Sequence, residues 1–392
     1  MKTLKRTWAD ISLDNLEYNY RSIRAHLPQG TKFLGVMKAD AYGHGAVPVS
    51  RALADLGAEY LAVSNLEEAV QIRRGEVRLP ILILGYTPVE YAANMIFLDI
   101  TQEVHSLEYA RELNEALAGT NYILNVHLKL DTGMTRIGFF AYDNERTLDE
   151  LRQVAQLPHL HIEGVFMHFC VADSRAEADV SFTKLQYKRF MDMLSAMAGV
   201  GIRPEIRHCC NSGATILYPE FALDMVRPGI ITYGNAPSDE LEGALSLRPM
   251  MSLHSMIAQV RTVPAGTDIS YGRLYRTKEE TRVAVLPIGY ADGLSRLLTG
   301  KASFYLQGHQ VPVIGRICMD MCMIDVSGVP EAKPGDVVTI FGYDDDGTLL
   351  PCERLARAQG TINYELLCQI SKRIPRICHR GAETSQILQY IV

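Results

Sequence analysis

The stretch FLGVMKADAYGHG, residues 33–45, decides the fold of this chain. Its first part, residues 33–37, is an apolar run of strand length, and a turn-rich segment with two glycines closes it. An apolar run bounded by turn signals is typical of a strand that is buried on both faces. Lys38 lies between the two parts. We therefore place it at the carboxyl end of a strand, where parallel α/β folds hold their chemistry.

Two roles are open to Lys38. A lysine held against apolar walls loses solvation, and its pKa then falls from about 10.4 towards neutrality. A neutral amine can attack an aldehyde, so the functional hypothesis is a lysine that forms a Schiff base. The structural alternative is a strand-end lysine that extends its charged end to water. From this stretch alone the structural alternative is the commoner case.

Strand-like and helix-like segments alternate through the first two-thirds of the chain. Eight such repeats over about 220 residues suit a (β/α)8 barrel, whose usual length is about 250 residues. The competing fold is a doubly wound open sheet, but the phosphate signature GxGxxG that such a sheet carries after its first strand is missing. The strand candidates are residues 33–37, 60–63, 81–84, 98–101, 123–130, 162–167, 205–209 and 223–226, and the helix candidates are residues 13–26, 48–56, 66–73, 107–117, 146–156 and 183–197.

The pattern changes near Leu241. Strand-like runs then follow one another with Gly and Pro turns between them and few helical periods, which predicts an all-β domain. One helix is expected over residues 355–367, before a short tail. The strand candidates of this part are residues 255–263, 282–288, 311–314, 323–326 and 336–340.

Composition excludes several classes of protein. Of the 392 residues, 47% are hydrophobic and 21% are charged, as in a soluble globular protein with a large core. The formal net charge of −6 argues against a basic surface for nucleic acid or anionic membrane. The start of the chain lacks the apolar segment of a secretory signal, and no apolar run reaches the roughly 18 residues of a membrane span. We expect a cytoplasmic protein.

The eight cysteines do not indicate a disulfide scaffold or a metal site. Eight in 392 residues are too sparse for a small disulfide-rich fold. Cys209 adjoins Cys210, and Cys318 precedes Cys322 by four positions, so neither pair has the CxxC spacing of zinc or redox sites. We expect reduced, mostly buried thiols and no bound metal.

Other candidate site residues follow later strands of the barrel. HLKLDTGMTRIG, residues 127–138, contains Lys129 and Arg136, and Arg136 has the geometry to bind a carboxylate through two hydrogen bonds. His168 ends an apolar strand in FMHF. Taken singly, an arginine of this kind is more often a surface residue, and such a histidine is more often structural.

A phosphate site is suggested near the last two strands. HCCNSGA places Ser212 where a strand gives way to a helix, and MVRPGI places Arg227, Gly229 and Ile230 after the eighth strand. Barrels often bind phosphate in these two places through backbone N–H groups. The alternative for Asn-Ser-Gly is an ordinary helix cap.

The β-rich part also contains turn motifs with tyrosines and methionine. Such residues usually serve packing or an interface. The motifs are SYGRLY with Tyr271, GYADG with Tyr290, GRICMD with Met319, and TINYE with Tyr364.

Together these motifs resemble those of alanine racemase, a fold-type III family that uses pyridoxal 5'-phosphate. VMKADAYGHG, HLKLDTGMTRIG, MVRPGI, SYGRLY, GYADG, GRICMD and TINYE occur in the family's order and cover essentially the whole chain. The resemblance implies a head-to-tail homodimer in which each β-rich domain contributes to the active site of the other subunit. It also implies two domains: a cofactor-binding (β/α)8 barrel over residues 12–240, and a β-rich domain over residues 241–392 that includes residues 1–11.

The resemblance implies a role for each matching residue. Lys38 would hold the cofactor and act as one base, and Tyr271 of the partner subunit would be the second base. Arg136 and the backbone of Met319 would bind the substrate carboxylate. Lys129 matches a lysine that is often carbamylated and then orients Arg136. The residues that it implies for cofactor binding are Lys38, Tyr42, His168, Ser212, Arg227, Gly229, Ile230 and Tyr364.

The implied activity is interconversion of L-alanine and D-alanine, which supplies D-alanine for peptidoglycan. The runner-up is a racemase with serine or broader specificity, against which Tyr364 and the absence of spanning helices argue. A non-catalytic pyridoxal phosphate carrier would lack the β-rich domain. A basic amino-acid decarboxylase of the same fold type would have a cysteine–aspartate segment that is not apparent here.

Overall fold

The computed structural model describes residues 6–142 and 144–391. The described residues form two compact units. The barrel unit comprises Leu16–Ala41 and Ala46–Arg248, and the β unit comprises Pro249–Val392 together with Met1–Asn15 and Tyr42–Gly45, as far as these are described. Among the described helices, none has the length and apolarity needed to cross a membrane.

Eight parallel strands form the barrel, and the predicted (β/α)8 fold is confirmed. The ring closes on both sides of the eighth strand, which follows Asp224. The backbone N–H of Lys32, on the first strand, donates to Asp224 (2.9 Å), and that of Asp224 donates to Arg207, on the seventh strand (3.1 Å). A sheet whose two edge strands are joined in this way has no open edge. The strands are Lys32–Val36, Tyr60–Val63, Ile81–Ile83, Ile100–Val104, Leu124–Asp131, Leu160–Phe166, Ile206–His208 and Met225–Val226.

Helices connect the strands, and polar caps mark where several of them begin. The side chain of Asn65 accepts from the N–H of Glu68, and that of Ser106 accepts from Tyr109. The α-helices of this part of the chain are Leu13–His26, Ala46–Leu56, Leu66–Arg74, Ala92–Phe97, Leu107–Ala116, Asn144–Val154, Glu177–Gly199 and Ser212–Leu217. Short 3-10 helices occur at Val89–Tyr91, Pro219–Phe221, Ile230–Tyr233 and Asp239–Leu241, and a short strand, Phe139–Phe140, pairs with Leu124–Asp131.

The fourth strand begins later than expected. The sequence predicts residues 98–101, whereas the strand is Ile100–Val104. Leu98 instead ends the preceding helix, and Asp99 has a positive φ of 52° that turns the chain into the strand. A left-handed residue cannot continue either element, so the strand starts after it.

The β unit is built on one large sheet. The strand Thr7–Ser12 lies inside it, antiparallel to Met251–Met256 and parallel to Arg376–Arg380. The other strands of this sheet are Gln259–Val263, Thr281–Leu286, Ser303–Leu306, His309–Ile314, Cys322–Asp325, Val337–Tyr343, Leu349–Leu350 and Glu383–Leu388. Asp268–Ile269 pairs separately with Tyr275–Arg276, and the unit also contains the α-helices Cys352–Gln359 and Asn363–Cys368 and the 3-10 helices Tyr271–Arg273, Tyr290–Asp292 and Arg296–Leu298.

Two elements predicted as continuous are each split. The expected strand 255–263 breaks at Ile257 and Ala258, because the chain there leaves one pair of neighbours and joins another: Ala258 donates to Val285 (2.8 Å). The expected helix 355–367 breaks at Gly360, whose φ of 81° is left-handed and ends the first helix. Both predictions were wrong in length because apolar periodicity does not show such a change of direction.

The interior of the barrel is not uniformly apolar. Strands such as Tyr60–Val63 and Ile81–Ile83 are buried along their whole length. Polar side chains nevertheless occupy buried positions on later strands: Gln102, Glu103, His127, Lys129, Asp131 and His208. Buried polar groups cost free energy unless they are hydrogen-bonded. The strands that carry these residues are therefore where we look for a functional site.

Candidate active site

Lys38 stands at the mouth of the barrel, directly after the first barrel strand, as predicted. The four residues after it, 39–42, all have left-handed φ values between 52° and 55°, although none is glycine. Such a turn costs roughly 1–2 kcal/mol per residue. Asp40 offsets part of this, because its Oδ1 accepts from the N–H of Ala46 at 2.8 Å. Strain of this kind that the surroundings hold in place is typical of functional sites.

Lys38 is exposed in the single chain, whereas Met37 beside it is fully buried. The expected desolvation against apolar walls is therefore not present within one subunit. The reason is positional: the buried run ends at Met37, and the next residue begins the turn.

The turn after Lys38 brings Tyr42 to Tyr364 within the β unit, where their ring centroids are 5.9 Å apart. Burial raises the pKa of the Tyr42 phenol, so this hydroxyl stays protonated. Gly43 has a φ of 81°, and a Cβ on it would lie 2.4 Å from the carbonyl oxygen of Leu367. Only glycine allows the backbone to come so close to Leu367 with this φ value, which explains why a glycine follows Tyr42 in the opening motif.

Two buried basic side chains lie over one aromatic ring in the barrel. The Nζ of Lys129 is 5.0 Å and the Cζ of Arg227 is 5.3 Å from the ring centroid of Phe166. Burial, and then the charges of Arg227 and Arg136, lower the pKa of Lys129 to about 7. Burial lowers the pKa of Arg227 only to about 10, so it remains a cation at neutral pH.

His168 lies within the field of four cations. Burial lowers its pKa well below 6.5, and the charges of Arg227, Lys129, Arg136 and Lys38 lower it further. Its Nδ1 is 3.4 Å from the Nη2 of Arg227. The imidazole is therefore neutral at neutral pH. Five residues that the sequence suggested separately therefore act on one another here, and Lys38 and Arg136 are the exposed ones among them.

The guanidinium of Arg227 is held by several partners. Its Nη1 is 2.8 Å from the Nδ1 of His208, and its Nη2 donates to the carbonyl oxygens of Met167 (2.7 Å) and Cys209 (3.1 Å). Its backbone N–H donates to Cys210 (2.9 Å). Because these bonds come from both sides of the fork, the plane of the guanidinium is fixed.

Ser212 and Gly229, from the two predicted phosphate motifs, are in direct contact. The N–H of Gly229 donates to the Oγ of Ser212 at 2.9 Å, and both residues are buried. A Cβ on Gly213 would lie 2.9 Å from the backbone of Ala172, so the backbone packs closely here. Ile230 begins the 3-10 helix that follows. The two predicted motifs thus meet in one compact polar group of the barrel unit.

Tyr271 and Met319 belong to the β unit, and both are exposed in the single chain, Tyr271 by 69% and Met319 by 53%. Tyr271 sits in a strained turn: Ser270 before it has a φ of 64°, and Gly272 after it has a φ of 73°. The Oγ of Ser270 donates to the carbonyl oxygen of Arg316 at 2.6 Å and so fixes the turn. The phenol is thus presented outward on a defined backbone.

Three polar residues of the barrel interior were not singled out from the sequence: His127, Glu163 and His208. The signal for His127 was available, because it alternates with Lys129 and Asp131 along one strand. Residues two apart on a strand share a face, so a polar face of three residues was visible in HLKLD. For Glu163 we find no such signal.

Family models match both parts of the chain. The model described as alanine racemase, N-terminal domain, matches residues 11–237, and the model of the C-terminal domain matches residues 250–378. An alanine racemase of Desulfovibrio desulfuricans is 46% identical over 370 residues, which cover 94% of this chain and 97% of the relative. One of Clostridium tetani is 42% identical over 392 residues, with complete coverage of both.

Solved structures agree with these matches. An alanine racemase of Clostridium difficile 630 has a TM-score of 0.93 at 40% identity and covers 100% of both chains. One of Bacillus anthracis with bound L-Ala-P has a TM-score of 0.92 at 34% identity and covers 100% of this chain and 99% of that one. The chain therefore belongs to the alanine racemase family of isomerases.

Proposed function

We propose that this chain interconverts L-alanine and D-alanine with pyridoxal 5'-phosphate as its cofactor. The observation that carries the proposal is a group of basic side chains in the barrel: Lys129 and Arg227 lie over the Phe166 ring, Arg227 is 3.4 Å from His168, and Lys38 and Arg136 also act on His168. Basic side chains gathered at one place favour anionic ligands. A phosphorylated cofactor and the carboxylate of an amino acid supply them.

The residues present fit this cofactor. Ser212, Gly229 and Ile230 form an anion-binding group in the barrel unit. Tyr42 and Tyr364, which pair in the β unit, would add phenolic donors to the phosphate. Lys38 would hold the cofactor covalently, and Arg227 would face its ring nitrogen. When bound, the cofactor supplies the electron sink that stabilises negative charge at the substrate Cα.

Two bases on opposite faces explain racemisation. The proton leaves one face of Cα and another arrives at the other face, which one small base does not easily reach. We assign the two positions to the Nζ of Lys38 and the Oη of Tyr271 of the partner subunit. A phenol needs nearby positive charge to act as a base, and Arg136 is the cation that we propose for this.

Arg136 and the backbone of Met319 would bind the substrate carboxylate. Lys129 would orient Arg136 once it is carbamylated. With a pKa of about 7, much of Lys129 is neutral at physiological pH, so its nitrogen can form a bond to the carbon of CO2 and release a proton. The product is an anion, and this anion would lie within the field of Arg136.

We propose a cytoplasmic homodimer that supplies D-alanine for peptidoglycan. Support for the dimer comes from exposed apolar side chains of the β unit, which include Tyr271, Leu274, Met319 and Ile362. None of the eight cysteines, all of which are described, forms a disulfide, as in a reducing compartment. We retain residues 12–240, and 241–392 with 1–11, as the functional domains.

Serine is the substrate of the alternative proposal. A small pocket rejects an added hydroxyl poorly, so some activity on L-serine is expected even from an enzyme that prefers alanine. A cofactor carrier without catalysis is disfavoured because the β unit, with Tyr271 and Tyr364, is present.

A circular dichroism time course with L-alanine and with L-serine tests the proposal. Faster racemisation of alanine is expected, and equal rates would replace alanine specificity by the broader alternative.

Borohydride reduction followed by peptide mapping should place the cofactor on Lys38. Tyr271→Phe should lower kcat by roughly 100-fold or more, the contribution of general acid–base catalysis. Tyr91→Phe, also an exposed tyrosine, is the control. Full activity of the Tyr271 variant would contradict the two-base assignment.

A further inference from the structure

A continuous line of polar side chains crosses the interior of the barrel from Arg227 to Glu163. The Nη1 of Arg227 is 2.8 Å from the Nδ1 of His208. The Nε2 of His208 is 2.8 Å from the Nδ1 of His127, and the Nε2 of His127 is 3.1 Å from the Oε2 of Glu163. Both histidines are fully buried. We call these four residues the interior chain.

The chemistry of the two ends of the interior chain indicates which ring nitrogen of each histidine carries its proton. A guanidinium can only donate, so the Nδ1 of His208 must be the acceptor. Its proton is then on Nε2 and is donated to the Nδ1 of His127, whose proton is on Nε2 in turn and is donated to Glu163. Burial and the charge of Arg227 lower the pKa of both histidines, so they are neutral. All three hydrogen bonds therefore run in one direction, from cation to anion.

Glu163 is prepared as the final acceptor. The hydroxyl of Tyr60 donates to its Oε1 at 2.7 Å, and that of Thr101 donates to its Oε2 at 3.2 Å. Burial would raise the pKa of Glu163, but the hydrogen bonds from His127 and Tyr60 outweigh it and bring the pKa to about 2. The group is a carboxylate throughout the physiological range and has no proton to return along the chain.

The backbone is shaped around these contacts. Val126 pairs with Ile162 and His127 pairs with Gly164, so Glu163 is an extra residue in a β-bulge. Bulges re-aim side chains, and here the bulge allows Glu163 to meet His127. A Cβ on Gly164 would lie 2.5 Å from the Cε1 of His127. The absence of a side chain at Gly164 thus leaves room for the imidazole of His127. Ordinary packing of two strands would need neither the bulge at Glu163 nor the glycine at 164.

We propose that Glu163 is a positioning residue for the racemase reaction: through the tautomers of His127 and His208 it holds the guanidinium of Arg227 in one orientation as a pure hydrogen-bond donor. The inference rests on the proposed function, in which Arg227 faces the ring nitrogen of the cofactor. It adds that the orientation of Arg227 is also supported from the other end of the interior chain, by a residue that would touch neither cofactor nor substrate.

Loss of the acceptor would leave the buried Nε2–H of His127 without its partner, so that only the Arg227 end would still favour the two tautomers. If the Nδ1 of His208 gained a proton, two N–H groups would face each other across 2.8 Å, and the guanidinium would have to turn away. The ring nitrogen of the cofactor would then lose its fixed cationic neighbour. We expect slower racemisation and a larger share of transamination, because a ring nitrogen that becomes protonated favours that side reaction.

Three variants of the holoenzyme test the inference. Glu163→Leu removes the acceptor, whereas Glu163→Gln keeps an amide oxygen that can accept from His127. Glu205→Gln is the control, because it removes the same charge at an exposed position. Glu205 lies just before the next strand, and its backbone N–H donates to the carbonyl oxygen of Glu163. Glu163→Leu should lose roughly tenfold or more in kcat with little change in KM, the range for a hydrogen bond to a charged group. Glu163→Gln should lose less than about threefold and restore the low transamination.

A measurement without substrate provides an independent readout. Side-chain ¹⁵N–¹H correlation spectra of histidine-labelled protein, assigned with His127→Asn, should show His127 and His208 protonated on Nε2 in the wild type. Glu163→Leu should show mixed tautomers. The inference is overturned if the wild type has a proton on either Nδ1, or if the Leu and Gln variants behave alike in spectra and kcat. A protein without racemase activity would refute the proposed function instead, and the wild-type spectra would still decide the tautomers.

Discussion

Replacement of Arg376 by methionine should destabilise the β unit severely. Arg376 is 1% exposed, and its guanidinium donates to four backbone carbonyl oxygens: those of Gly43 (2.9 Å), Ser371 (2.6 Å), Ile374 (2.7 Å) and Ile370 (2.6 Å). It therefore ties the turn after the proposed catalytic lysine to the C-terminal segments of the same unit. Methionine would fill most of the volume but supply no donor.

The size of the effect follows from these contacts. Four hydrogen bonds from a charged donor contribute about 1.5–3 kcal/mol each, or roughly 6–12 kcal/mol together. Removing the buried cation also removes its desolvation penalty, which is several kcal/mol. We therefore expect a net loss of about 4 kcal/mol in the free energy of unfolding of the apoprotein, within the range for breaking a buried charged contact. Arg376→Lys places a single nitrogen among the four carbonyl oxygens, so its free energy of unfolding should lie between those of the wild type and Arg376→Met.

The assay is denaturant unfolding followed by the fluorescence of the one tryptophan. Trp8 is buried in the strand Thr7–Ser12, which pairs with Arg376–Arg380, so it reports on the unit concerned. The matched control is Arg380→Met, an exposed arginine on the same strand, for which a change within about 0.5 kcal/mol is expected. A loss of less than about 1 kcal/mol for Arg376→Met, with an unchanged m-value, would refute the assigned role of the four carbonyl contacts.

The remaining predictions concern the barrel. Burial lowers the pKa of Lys129 to about 7. Between about pH 7 and 10 the unfolded chain therefore binds one more proton than the folded protein. The free energy of unfolding should rise with pH in this range, by at most about 1.4 kcal/mol per pH unit. Urea unfolding in CO2-free buffer should show this rise in the wild type and its absence in Lys129→Met; identical slopes would contradict the burial argument. Gly164→Ala should destabilise the protein by about 1–3 kcal/mol through contact with His127 and should lower kcat, whereas Gly199→Ala, with open space around it, should not. Unchanged thermal stability and kcat for Gly164→Ala would show that the imidazole has room to move.

Much of the architecture could be predicted because it depends on local patterns. Several barrel strands, such as Tyr60–Val63 and Ile81–Ile83, are short apolar runs between turn signals, and several helices begin at a polar cap. Lys38, Lys129 and His168 were found for the same reason: in a parallel barrel every strand end faces the same way, so residues after different strands meet. The roles of these residues remain predictions, drawn from motifs and supported by the cation cluster.

Changes of direction inside elements were not predictable in this way. The helix 355–367 ends at Gly360 because that residue is left-handed, and the turn at 39–42 is left-handed without any glycine. A single glycine in a helical pattern is often tolerated, and alanine and aspartate favour the right-handed region. In both places the surrounding contacts, such as Asp40 with Ala46, outweigh the local preference.

Sequence alone determined that this chain alternates strands and helices into a barrel, continues into a β-rich part, and carries the motifs of its family. Which polar side chains oppose one another inside the barrel was decided by the tertiary structure. Glu163 reaches His127 only because a bulge shifts the register between two strands, and His208 meets Arg227 from another strand. Register and bulges depend on pairing between segments far apart in the chain, and no local pattern encodes a distance across the barrel.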